Sequence, residues 1–244
     1  MEIFSQVGGE FLSRWAHYLA GVTWIGLLYY FNFVQTPSFA DFEAGPRTEA
    51  VRKLVPRALW WFRYGALLTL LSGLSILAFQ ERLGSDAGEF WKSPSGYSIS
   101  TGILLALVMF ANVWLVIWPA QRIVIANAEG TAAGRPADPN AAAAGRRGLL
   151  ASRTNTLFSI PMLFFMAATS HFAPIYPGAD GGARATYLIV VLLIVAVLEL
   201  NALGKLGGYG PGGNTVYLDT HKNTIIAGFV LAAVLYILFE VVFG

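Results

Sequence analysis

The chain alternates between six apolar runs and short polar intervals. The runs cover about residues 11–34, 59–79, 100–118, 156–171, 186–203 and 224–243. A helix rises 1.5 Å per residue, so a run of roughly 20 apolar residues crosses the hydrocarbon of a bilayer. The pattern therefore predicts an all-α, polytopic membrane helix bundle with six transmembrane helices, forming a single integral membrane domain over 1–244. The stretch 152–171, SRTNTLFSIPMLFFMAATSH, is the one the others are expected to surround. It opens on the polar cluster Arg153, Thr154, Asn155 and Thr156, carries Pro161 in its middle and closes on His171. Proline removes one backbone hydrogen bond and kinks a helix, which membrane bundles tolerate when neighbouring helices compensate.

Small residues mark where backbones can approach: Ala16, Ala20 and Gly21 in the first run, Gly65, Thr69 and Gly73 in the second, Ala167 and Ala168 in the fourth. The same residues leave room for a flat cofactor, and spacing alone does not separate the two readings. Of the polar intervals, 128–148 is rich in Ala, Gly and Pro and reads as a flexible connection. Residues 45–57 have amphipathic character and are expected to lie on the inner membrane surface. The interval 204–214 contains Gly208, Gly210 and Gly213 in a formal G-x-G-x-x-G. A dinucleotide site needs that pattern between a strand and a helix, and here it joins two membrane runs, so it is rejected.

Lys and Arg are distributed unevenly. Twelve of the 16 fall in or beside the intervals after the first, third and fifth runs, and only Arg14, Arg82, Lys92 and Arg184 lie on the other side. The positive-inside rule then puts both termini outside. The N-terminus, MEIFSQVGGEFLSR, has no basic region ahead of an apolar core and is expected to be mature chain. Composition supports the same class: 56% of residues are hydrophobic and 12% charged, about half the usual charged share. The expected location is the inner (cytoplasmic) membrane of a bacterium, multi-pass, with lipid as a partner and no nucleic acid. There is no cysteine, which removes disulfides, thiolate metal sites, iron–sulfur ligation and a Cys-x-x-Cys-His haem c.

The chemistry available rests on a few polar side chains. His17 and His171 both fall in the outer half of their runs, whereas His221 lies on the inner side. Two histidines on different helices at similar depth are what axial ligation of haem b in a bundle requires, so His17 and His171 are the candidate metal and cofactor ligands. Each also has a plain reading, as a hydrogen-bonding residue within a bundle or an interfacial one at a helix end. Copper, using Met162 and Met166, is a weaker option. Near the inner face lie Asn112, Gln121, Arg153, Asn155, Glu199, Asn201 and His221. Glu199 is the sharpest, because a carboxylate in an apolar run is neutralised or seeks a cation such as Arg153. Arg153, Asn155 and Glu199 form either a structural ion-pair set or a binding site for an anionic substrate open to the cytoplasm.

The runs RWAHYLAGVTWIGLLYYFNFVQ, NVWLVIWPAQRIVI and SRTNTLFSIPMLFFMAATSHF resemble the N-terminal membrane domain of the bacterial membrane-bound urate hydroxylases. The residues matching that family's pattern are His17, Trp24, Asn112, Trp118, Pro119, Gln121, Arg153, Asn155, Pro161 and His171. The resemblance implies oxidation of urate to 5-hydroxyisourate, with electrons passed to a cytochrome c domain. That domain has no counterpart in 1–244, so a separate cytochrome c is expected to take its place. The alternative is a non-catalytic subunit of a larger respiratory or photosynthetic redox complex. On the charge pattern, a topology reporter fused after Gly244 is expected to be active only on the outer side. Activity confined to the cytoplasm would overturn the arrangement.

Overall fold

The computed structural model describes residues 2–244, and no strand occurs among them. Ten α-helices follow in order: α1 (Gln6–Tyr29), α2 (Thr36–Asp41), α3 (Ala44–Lys53), α4 (Val55–Phe79), α5 (Gly88–Lys92), α6 (Pro94–Ala111), α7 (Trp118–Ala132), α8 (Ala141–His171), α9 (Gly181–Ala202) and α10 (His221–Phe243). Two π-helical segments, Tyr30–Gln35 and Asn112–Ile117, join α1 to α2 and α6 to α7 without a break. Among the described residues, four helices are long and apolar enough to cross a membrane: α4, the continuous rod Pro94–Ala132, α9 and α10. α1 and α8, at 24 and 31 residues, have the length but carry polar side chains along it.

The π segments have a common cause. Each is followed by a proline, Pro37 or Pro119, whose ring would collide with the carbonyl four residues earlier. Those carbonyls belong to Phe33 and Leu115, inside the π segments, where the wider winding makes room. Helix starts follow ordinary capping chemistry. Ser5, Ser93, Asp180 and Thr220 accept hydrogen bonds from the free N–H groups of the first turns of α1, α6, α9 and α10.

α8 is the centre of the bundle. Every residue of 150–159 is buried, which requires neighbours on all sides. α6, α7 and its π segment, α9 and α10 supply them, and α1 closes the ring at the end of α8 where the Arg residues cluster. α4 packs along α1, where Gly65 admits the backbone of Trp24. Pro161 lacks the N–H that would satisfy the Leu157 carbonyl. Gly228 of α10 sits against that same carbonyl, and a Cβ there would stand 3.0 Å from the oxygen and 2.5 Å from Ile160 Cδ1.

One loop expectation changes. The interval 128–148 is mostly helix, with α7 running to Ala132 and α8 starting at Ala141, because Ala-rich sequence propagates helix wherever Gly and Pro do not interrupt it. Within 45–57, α3 forms and packs on α7 and α4. Gly228→Leu is expected to destabilise the bundle by about 1–3 kcal/mol through overpacking. Gly26→Ala, where a Cβ meets nothing within 4 Å, is the silent control. Thermal unfolding in detergent reads the difference.

Candidate functional site

The polar run of α8 is met from two directions by asparagines on the two π segments. Asn32, 2% exposed, donates to the Ser152 hydroxyl at 2.8 Å and to the Leu28 carbonyl at 2.9 Å. Asn112, also 2% exposed, donates from its amide nitrogen to Asn155 Oδ1 and to Glu199 Oε2, both at 3.0 Å. Asn155 in turn donates to the Met109 carbonyl at 2.9 Å. Tyr29 and Ser159 share a hydrogen bond at 2.8 Å one level further along. The structure thus brings Asn112, Asn155 and Glu199 into one chain of contacts linking α8 and α9 through the π segment of the rod Pro94–Ala132.

Arg153 is on the same run but serves a different neighbour. Its Nη1 donates to the carbonyls of Leu218 and Asp219, at 2.6 and 2.5 Å. Seven residues earlier, Arg146 donates to the carbonyls of Tyr209 and Gly210 and pairs with Asp219 Oδ1 at 2.7 Å. Asp219 Oδ2 also accepts the Gly212 N–H at 2.6 Å. The glycine-rich segment between α9 and α10 is therefore a strap tied across the Arg-rich end of α8. Gly204, Gly208 and Gly212 supply the positive φ angles that fold it. Partial burial pushes the Asp219 carboxyl up, but the Arg146 hydrogen bond, the Gly212 N–H and the charges of Arg146 and Arg153 outweigh it and leave the group below the usual carboxylate range.

The expected attraction between Glu199 and Arg153 does not produce an ion pair. The strap places carbonyls and the Asp219 carboxylate beside Arg153, so its charge is answered there, and Glu199 takes an amide instead. Polar atoms of this region that are buried without a hydrogen-bond partner include Arg153 Nε, Asn32 Oδ1 and Gln35 Oε1, with Trp114 Nε1 and Arg52 Nε. Asn32 and Tyr217 are the site residues that sequence reasoning passed over. Asn32 had a signal, an amide inside an aromatic run five residues before a proline. Tyr217 had none, since only the folded strap sets its hydroxyl 2.9 Å from Asn201 Oδ1. Burial, with the Glu199 charge behind it, pushes that phenol up to about 12. Arg63 is a further residue of this end, stacked 3.5 Å above the Trp118 ring.

His17 and His171 stand at one level. Each lies twelve residues along its helix from the Tyr29–Ser159 bond, roughly 18 Å at helical rise. They belong to different helix packings, however. His17 bonds through Nδ1 to the Thr69 carbonyl of α4 at 2.9 Å, and its ring lies over Gly73. His171 is exposed and bonds through Nδ1 to the Ala167 carbonyl of its own helix at 3.1 Å. Tyr18 and Val22 on α1, and Leu163 and Ala167 on α8, continue the stripes that meet at Tyr29 and Ser159, yet all four are exposed, so the two helices diverge. Both imidazoles leave Nε2 free while Nδ1 holds a carbonyl, as metal-bound histidines do. The donor chemistry fits haem iron, and no group of three or more His, Asp or Glu side chains placed to hold a metal occurs among the described residues.

Residues 90–202 match the family model described as urate oxidase N-terminal. The chain resembles that family. The match covers α6 to α9, with Asn112, Arg153, Asn155, His171 and Glu199, and leaves His17, Asn32 and the strap outside it. No curated protein and no solved structure matches the chain.

The tie of the urate-oxidase-like core to its strap depends on pH with a definite sign. A carboxyl with a lowered folded value contributes stability that is present above the unfolded value, about 4 for Asp, and is lost as pH falls through the folded one. Hydrogen exchange of 208–218 is expected to stay protected at neutral pH and to open below that range. Asp219→Asn is expected to open it at every pH.

Proposed function

We propose that the chain is a urate-hydroxylase-like redox protein of a bacterial inner membrane, crossing it six times with both termini outside. The charge partition supports this orientation, which turns the strap and Arg153 toward the cytoplasm. The observation that carries the reading is Arg153. It lies within the matched residues, is 7% exposed, and keeps Nε without a partner while Nη1 is anchored to the strap. A buried guanidinium with an open edge suits a planar anion that presents neighbouring acceptors.

Urate offers such an edge, and its ring N–H groups need acceptors of the kind that Asn32 Oδ1 and Gln35 Oε1 provide. In this reading Arg153 binds the anion. Asn155 and Glu199, both bonded to Asn112, position the floor of the site and hold water that urate consumes on its way to 5-hydroxyisourate. The overall change removes two electrons and two protons from urate and one water. Haem b held by His17 and His171 would supply an iron that accepts electrons one at a time, and a separate cytochrome c on the outer side would take them onward.

Purified protein is expected to bind urate and to reduce added cytochrome c in its presence. Arg153→Lys keeps the charge but loses the planar fork, and urate affinity is expected to fall about tenfold. A Soret band that disappears in His17→Ala and His171→Ala would identify the iron ligands. No urate binding, together with stoichiometric co-purification of a larger redox complex, would replace this reading by that of a non-catalytic subunit.

A further inference from the structure

A second site lies on the opposite flank of α8. α9 and α10 stand apart far enough to leave a groove of about 510 Å³, open to the side and floored by Leu157. Its walls are Leu193 and Val197 on one helix and Leu231 and Val234 on the other. The size is that of small-molecule sites, about 300–1,000 Å³. Nothing charged lines it, and its one polar lining residue is Tyr217, which closes the strap end.

That end is chemically distinctive. The Tyr217 hydroxyl gives its proton to Asn201 Oδ1, so its oxygen is left to accept. Among the described residues, the amide nitrogen of Asn201 has no hydrogen-bond partner, although Asn201 is only 7% exposed. Glu199 uses Oε2 on Asn112 and has no partner on Oε1. The apolar trough thus ends at the Tyr217 hydroxyl and the Asn201 amide bonded to it, with no cation lining it. A phospholipid headgroup seeks Lys or Arg for its phosphate, and neither lines the groove. A neutral head carrying carbonyl or hydroxyl oxygens, on a branched apolar tail, finds a partner for each group.

We propose that the α9–α10 groove binds an isoprenoid quinone or quinol from the bilayer, with its tail between Leu193 and Val234 and its ring oxygen at Tyr217 and the Asn201 amide bonded to it. The site stands on the groove and does not depend on the urate reading. It does connect to the core: Asn112 bonds both Asn155 of α8 and Glu199 behind the groove, so one amide spans the two sites.

The test uses the full chain in phosphatidylcholine nanodiscs, titrated with decylubiquinol and with its dimethyl ether. One decylubiquinol is expected to bind per chain. The ether lacks the hydroxyl donors and is expected to bind about fivefold more weakly, as is the quinol to Tyr217→Phe, each losing one hydrogen bond. Val234 is 44% exposed, so Val234→Trp fills the groove from the lipid side without touching the core. It is expected to abolish quinol binding, and Leu193→Trp does the same from the facing wall. Urate affinity of both Trp variants is expected to match that of the parent chain, which separates this site from Arg153. No binding, equal binding of the ether, or undiminished binding by both Trp variants would overturn the proposal.

Discussion

The arrangement depends on a polar run placed where water cannot reach it. Ser152, Arg153, Thr154, Asn155 and Thr156 are consecutive and buried on the central helix. Each would cost several kcal/mol in an apolar surrounding without a partner. Thr154 and Thr156 return their hydroxyls to the carbonyls of Leu150 and Ser152 on their own helix. Ser152 and Asn155 need help from elsewhere. It comes from Asn32 and Asn112, which both lie on π-helical turns. A π turn shifts the phase of a helix and lets it present a residue that regular winding would have directed elsewhere. Pro37 and Pro119 cause those turns, so two prolines outside the site account for how its amides are aimed.

The same run divides the molecule into two regimes. At the Arg-rich end, helices, strap and π segments are tied by bonds between side chains and backbone. Toward the other end the contacts become aromatic and small-residue packing: Phe165 against Phe239, Tyr187 against Phe243, Met166 against Gly102. α1 follows this division. It is bound to α8 only near Tyr29 and Asn32 and is packed on α4 beyond, through His17 and Thr69 and through Ser13 and Ser75. The polar end is held in place by directional bonds. The divergent end carries His17 and His171, each bonded to a backbone carbonyl of its own packing.

Much of this was legible in the residues. The helical class follows from run length and low charge, and the central place of 152–171 follows from its polar cluster, which no lipid-facing helix carries. Asn112 and Asn155 could be named as members of one inner polar set because amides are rare in such runs. Partner choice could not be read. Arg153 and Glu199 attract each other on paper, but a loop distant in sequence supplies carbonyls and Asp219 first. Hydropathy cannot reveal a strap whose fold is set by Arg146 and three glycines at positive φ. Nor does an alanine-rich interval look different as helix or as linker until neighbouring helices give α8 something to extend along.

What remains unsatisfied is more informative than what is paired. A core that spends two prolines, two π turns and a strap on partnering its polar atoms would be expected to leave none, yet Arg153 Nε, Asn32 Oδ1 and Gln35 Oε1 stay open. Donors and acceptors both remain open at this end of the bundle. Stability alone would favour apolar residues at these positions, since a buried polar group without a partner costs more than it returns. In the proposed function these are the atoms that a bound urate ring would satisfy.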